Sequence, residues 1–290
     1  HLDTVPVNDN LPSRRDASCL HGLGSCDMKG GVAIALRLAA ELDRPRRDVT
    51  YLFYECEEVE AARNGLYLLS QSHPELLEAD FAVVMEPSDG VVEAGCQGTL
   101  RVDVITRGER AHSARSWKGT NAVHAAGEVL TRLNSYRPRR PVIDGLEYRE
   151  GLNAVFVSGG VAGNVLPDRC VVSVNYRFAP DRSEAEALAH VREVFAGFET
   201  EVGDSAPGAL PGLTVPAAAR FIEAVGGVGG TGGTVNPKFG WTDVARFSTL
   251  GVPAVNFGPG DSLLAHKHEE LVPLAQLHTV EEAMRRWLTR

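Results

Sequence analysis

The chain has 290 residues, 43% hydrophobic and 23% charged, with a net charge of −9. That length can bury a large core, as one large domain or two smaller ones. The acidic balance argues against nucleic acid or an anionic membrane as the main partner, and no run of 18 apolar residues is available to span a bilayer.

The first residue is His1 rather than Met, and the string HLDTVP (1–6) reads as the end of a strand, so an upstream N-terminal segment is expected. Residues 10–26 are polar and turn-rich. From Met28 the sequence turns helical: Val32, Leu36, Ala39 and Ala40 recur at helical spacing, and Ile34 and Leu38 widen the apolar face. Residues 49–54 and 80–85 are short apolar runs that read as buried strands, with helix signals over 61–70 between them. Strands with few alternating polar residues, separated by helices, predict an α/β domain: a mainly parallel mixed sheet flanked by helices.

The pattern changes near Gly98. Leu100, Val102 and Val104 alternate with Arg101 and Asp103, and Cys170, Val172, Val174 and Tyr176 alternate with Ser173, Asn175 and Arg177. Alternation puts one face of a sheet in water, as antiparallel sheets allow. Helices are predicted over 121–136 and after Ser183, which forms a capping box with Glu186 and sets Leu188, Val191, Val194 and Phe195 on one face. Residues 98–206 therefore read as an α+β domain inserted into a catalytic α/β domain of residues 1–97 and 207–290. The glycine-rich run 226–234 lacks the Lys-Ser/Thr of a phosphate loop and reads as a flexible surface loop. Five widely spaced cysteines (19, 26, 56, 96 and 170) with no CxxC read as reduced thiols of a cytoplasmic protein.

Acidic and imidazole side chains collect at the ends of the apparent strands. His1 and Asp3 form H-x-D, Asp27 precedes a helix, Glu57 and Glu58 follow one strand, Glu86 follows another, and His266 follows the run 251–256. Taken singly, each has a plainer explanation: Asp27 as a helix cap, Glu57-Glu58 as a solvated pair, His266 as a surface imidazole. Together they occupy the carboxyl ends of strands, where open α/β sheets place their sites. Four converging carboxylates repel one another unless cations neutralise them. Imidazole and carboxylate donors without thiolate suit zinc, with cobalt or manganese as substitutes, and Asp3 is placed to fix the tautomer of His1.

The strings HLDTVP (1–6), GSCDMKGG (24–31), Glu57-Glu58, MEPS (85–88) and Ala265-His266 resemble the co-catalytic zinc aminoacylase/carboxypeptidase family, across essentially the whole chain. The resemblance implies that the inserted domain is a ferredoxin-like lid that also dimerises. It implies two Zn2+ per chain: His1 and Glu86 on one, Glu58 and His266 on the other, Asp27 bridging. Glu57 would be the general base, aided by Asp3 and by His112 acting across a homodimer, while Asn164, Arg177 and Thr242 would hold substrate. The expected substrate is a small polyanionic N-acyl amino acid. Residues 95–101, 110–117, 145–155, 174–181 and 239–247 carry a closer likeness to the branch that cleaves N-succinyl amides in diaminopimelate and lysine biosynthesis. Acetylornithine deacetylases and other N-acyl amino-acid amidohydrolases of the family are the rival reading. A non-catalytic relative would have lost ligands or base, and none is missing here. Two features depart from the family pattern: it carries a strand and about two further elements before H-x-D, and its counterpart of 226–234 is shorter.

Overall fold

The first regular element of the computed structural model, which describes residues 1–226 and 233–290, is a hairpin of β1 (Arg14–Arg15) and β2 (Cys19–His21). An irregular turn over Ser25–Lys29, with a cis peptide between Asp27 and Met28, leads into α1 (Gly30–Glu41). Next come α2 (Gly65–Ser72), capped by the Asn64 side chain, β3 (Ala82–Val84) and β4 (Val92–Ala94). Residues Gln97–Gly208 form a separate compact unit, and Ala209–Arg290 rejoin His1–Cys96 in the first.

The second unit runs β5 (Gly98–Arg107), α3 (Ala122–Ser135), a small hairpin β6 (Val142–Ile143) and β7 (Leu146–Glu147), then β8 (Gly151–Gly159), β9 (Arg169–Phe178), α4 (Glu184–Val194) and β10 (Glu199–Ala206). Its sheet has the order β10-β5-β9-β8, antiparallel throughout, so two βαβ halves interlock in the ferredoxin-like manner. The alternating positions point as their period requires: Val102, Val104, Val172 and Val174 are fully buried against Ala126, Val129, Ala187 and Val191 of the two helices. Asn121 accepts from the backbone N–H groups of Val123 and His124, and Ser183 with Glu186 forms a complete capping box.

The first unit resumes with α5 (Pro216–Val225), β11 (Val235–Pro237), α6 (Val244–Thr249), β12 (Ala254–Asn256), β13 (Leu271–Pro273) and α7 (Leu274–Thr289). Its main sheet has the order β11-β4-β12-β3: β11 and β4 are parallel, β12 and β3 are parallel, and the central β4–β12 pair is antiparallel. A separate antiparallel ladder β1-β2-β13 joins the N-terminal hairpin to the late chain. Phe221 anchors the core, its ring 5.4 Å from both Phe81 and Trp287 and edge-on to Phe257 at 5.6 Å. Each such aromatic contributes about 1.5–3 kcal/mol by leaving water. Among the described residues no helix is long and apolar enough to cross a membrane, and the five cysteines are free thiols.

Several expectations need correction. Residues 49–54 form no strand; Thr50 and Phe53 are exposed and the other four are half-buried. They line a cleft of about 940 Å³ together with residues 80–85, so the two segments do not share a ladder. Residues 1–6 likewise form no strand, although Leu2 N–H donates to the Tyr54 carbonyl (2.8 Å). The buried stripe of α1 is Gly30, Gly31, Ile34 and Leu38, whereas Leu36 faces solvent. Of the glycine-rich run 226–234, residues 227–232 lie outside the described residues.

Candidate metal centre

Each acidic or imidazole side chain of the first unit is delivered by a different local device. Glu86 lies just past β3, and two glycines permit its placement. A Cβ on Gly31 would stand 2.3 Å from the Met85 carbonyl oxygen, and one on Gly258 would stand 2.5 Å from that of Glu86. Both neighbouring segments can therefore close on the strand end only without side chains. Glu57 and Glu58 are held from below: the Asp3 carboxylate accepts from their backbone N–H groups at 3.1 and 3.0 Å. The same Asp3 fixes His1, whose Nδ1 meets the Asp3 carbonyl at 3.1 Å and its carboxylate at 3.5 Å. His266 adopts a left-handed backbone (φ +64°), a conformation costly for a non-glycine residue.

These devices bring six side chains together. Asp27 lies at the middle: its Oδ1 is 3.2 Å from His1 Nε2 and its Oδ2 is 3.4 Å from His266 Nε2. His1 Nε2 also lies 3.6 Å from Glu86 and 4.0 Å from Glu57, while His266 Nε2 lies 3.1 Å from Glu58. One carboxylate thus presents one oxygen to each of two imidazoles, each of which has a further carboxylate beyond it.

The electrostatics follow from this crowding. Burial disfavours charge on His1, yet Asp27, Glu86 and Glu57 outweigh it and lift its pKa to about 10. His266 is lifted to about 10 by its bonds to Asp27 and Glu58. Burial would raise Asp27, but the two imidazoles hold it well below the usual carboxylate range. Burial, then the charge of Asp27, pushes Glu86 up to about 8. Burial, then Glu86, pushes Glu57 well above the carboxylate range. Protons therefore stand where positive charge is wanted.

The donor set fits divalent cations. His1, Asp27 and Glu58 offer ligand atoms that all lie within 4.8 Å of one another. Oε1 of the buried Glu86 has no hydrogen-bond partner, an expense normally offset by a cation or proton. Ligands must shed protons to bind metal. Adding Zn2+ to chelator-treated protein at pH 7 is therefore expected to release protons, because His1, His266 and Glu86 hold theirs at that pH. Apparent affinity should climb as pH rises towards about 10, where the two imidazoles no longer need displacing. Uptake of metal in weak buffer without acidification would contradict these electrostatics.

A second cluster, Asp16, Cys19 and His21, lies on the β1–β2 hairpin. Its Asp16–His21 contact (2.8 Å) and the Arg14 guanidinium 3.3 Å from His21 Nδ1 make it a hairpin ion-pair network, already supplied with a cation.

Thr242 is 3% exposed and its hydroxyl donates to Asn256 Oδ1 at 2.8 Å. Arg246 is bound to the buried Asp243 at 2.8 Å. In the second unit His112 and Asn164 are exposed neighbours: the Ser113 N–H donates to the Asn164 carbonyl at 2.9 Å. Arg177 is exposed on β9, donating to Asn175 at 3.1 Å. Sequence reasoning missed the Lys238–Glu93 pair (2.7 Å), whose lysine also donates to the Pro87 carbonyl beside Glu86 (3.0 Å), and the Tyr54–Asp243 bond (2.7 Å). It also missed Glu270, whose carboxylate grips the Asp27 turn.

The mixed α/β sheet with an inserted α+β unit, and the imidazoles and carboxylates gathered beside the sheet, go with a hydrolase of the metallopeptidase family type. The chain belongs to Peptidase family M20/M25/M40, whose model matches residues 1–290. It is 55% identical over 290 residues to a provisionally named succinyl-diaminopimelate desuccinylase of Mycobacterium tuberculosis, covering 99% of this chain and 80% of that protein. It is 46% identical over 297 residues to the succinyl-diaminopimelate desuccinylase of Corynebacterium glutamicum, covering 100% of this chain and 79% of that one. A tripeptidase from Staphylococcus aureus shares the fold, with a TM-score of 0.77 at 22% identity over 99% of this chain and 78% of its own.

Proposed function

We propose that the protein hydrolyses the N-succinyl amide of N-succinyl-LL-2,6-diaminopimelate to succinate and LL-2,6-diaminopimelate, in the cytoplasm, as a homodimer holding two Zn2+ per chain, with Co2+ or Mn2+ as substitutes. The observation that carries the metal reading is Asp27, with one oxygen toward His1 and the other toward His266. His1 and Glu86 would hold one ion, Glu58 and His266 the other, with Asp27 shared. Paired dications supply Lewis acidity, which brings water deprotonation near neutral pH and polarises a carbonyl.

The chain's own residues do the rest. Glu57 takes a proton from the attacking water as its oxygen bonds to the succinyl carbonyl carbon. Glu57 then delivers that proton to the amide nitrogen as the C–N bond breaks and the amine leaves. Asp3 keeps His1 oriented with Nε2 toward the ions. His112 of the partner subunit donates to the carbonyl oxygen as negative charge gathers there. Arg177 and Asn164 bind substrate carboxylates, the guanidinium in bidentate fashion.

Assaying the zinc-loaded protein on N-succinyl-LL-2,6-diaminopimelate and on N-acetylornithine tests the substrate assignment. The succinyl amide should be preferred by at least about tenfold in kcat/KM, the low end of what pocket contacts discriminate. Preference for acetylornithine would instead favour the deacetylase reading.

The dimer is supported by β8, an edge strand whose residues 153–159 are all exposed, including Val155, Phe156 (73%) and Val157. An apolar, unpaired edge is a template for a second strand. Phe156→Asp is therefore expected to shift the protein to monomer in analytical ultracentrifugation. Because His112 serves the neighbouring subunit, that monomer should lose turnover while keeping its metal. A monomer with full turnover would refute the crossing histidine.

A further inference from the structure

Glu270 is a buried carboxylate that the proposed mechanism does not use. It is 2% exposed. Its Oε2 accepts from Gly24 N–H, and its Oε1 accepts from the N–H groups of Cys26 and Asp27, all at 3.0 Å. A buried carboxylate is costly unless its lone pairs are met, and here charge-assisted bonds meet them. The donors belong to the irregular turn that presents Asp27, a turn whose dihedrals at Asp27 and Met28 are not helical. Without Glu270 that turn would lose three of its fixed points.

Glu270 also lies at the end of the loop that carries His266, four residues further on. Its own backbone is secured: its carbonyl accepts from Gly22 N–H at 3.0 Å, and Leu271 pairs with His21 in the β13–β2 ladder. One side chain thus staples the Asp27 turn to the His266 loop. The other end of the centre is held differently. His1 leans on Asp3, and Glu86 follows a strand end closed in by Gly31 and Gly258.

We propose that Glu270 is a positioning residue that sets the Asp27–His266 separation and, through it, the affinity of the cation held by Asp27, Glu58 and His266. This rests on the two-cation reading above. An amide in its place would keep one accepting oxygen but turn an NH2 group toward a backbone N–H.

The test is a Co2+ titration of chelator-treated protein, read by calorimetry and by the visible absorption of bound cobalt, on wild type, Glu270→Ala and Glu270→Gln. The wild type should take two equivalents. Glu270→Ala should weaken one of the two equivalents by about 10- to 100-fold, the usual cost of losing a group that orients a ligand. Glu270→Gln should fall between, the other equivalent should change far less in both, and saturating cobalt should restore kcat. A merely structural loss would lower both equivalents alike, without partial rescue by the amide. Both variants binding two equivalents at wild-type affinity would overturn the inference, as would turnover lost at unchanged affinity. Should Glu270→Ala fail to fold, the Glu270→Gln titration decides alone. Wild-type protein that takes up no cobalt would overturn the two-cation reading, and this inference with it.

Discussion

Glu57→Gln is expected to lower turnover by about 10²–10⁴-fold while leaving the metal content of the protein at its wild-type value. The change is nearly isosteric, and the backbone N–H of residue 57 keeps its bond to Asp3. Metal binding survives because Glu57 is the outermost carboxylate around His1, at 4.0 Å against 3.2 Å for Asp27 and 3.6 Å for Glu86. Burial and the charge of Glu86 push the Glu57 pKa well up, so it holds a proton readily. Divalent charge beside it would draw that value back towards neutrality, the range in which a group both takes and returns a proton. An amide does neither. Steady-state kinetics with elemental analysis of the same sample check this. Near-normal turnover would remove Glu57 as the base; loss of metal would make it a ligand instead.

What was legible in the chain depended on whether a signal was local. The period-two alternation of Leu100–Val104 and Cys170–Tyr176 placed the sheet of the second unit, because one of its faces is wet. Residues 49–54 carry no such contrast, and an apolar run alone does not reveal whether a ladder partner stands beside it. Leu36 shows the same weakness: helical spacing marks a stripe, but only packing into the core shared with α7 selects Ile34 and Leu38 over it. The site was legible because its side chains sit in short strings at segment ends. Thr242 shows a related limit: a hydroxyl beside Asp243 reads identically whether it turns inward or outward, and here it donates to Asn256. Glu270 left no signature at all, since its partners are backbone N–H groups, which every sequence contains.

Asp27→Asn is expected to reduce cation binding from two ions to at most one, a greater loss than the about 10- to 100-fold cost of disturbing an orienting group. The amide keeps the shape but offers an oxygen to only one imidazole-lined pocket and an NH2 group to the other. The same substitution should also destabilise the metal-free protein at neutral pH. There the carboxylate is the counter-charge shared by two imidazoles whose pKa values it helps lift to about 10. The sign follows from linkage. Asp27 has its folded pKa depressed below the ordinary 3.8, so its contribution is fully present above that value and fades as pH falls through the folded value. Thermal melts in chelator should therefore separate wild type from Asp27→Asn at pH 7, and the gap should narrow in acid, where Asp27 itself becomes neutral. Added zinc supplies the complementary readout. A ligand that binds only the folded state raises the melting temperature by mass action, so wild type should gain stability with zinc and Asp27→Asn much less. Equal stabilisation of both proteins by zinc would mean that the ions do not share Asp27.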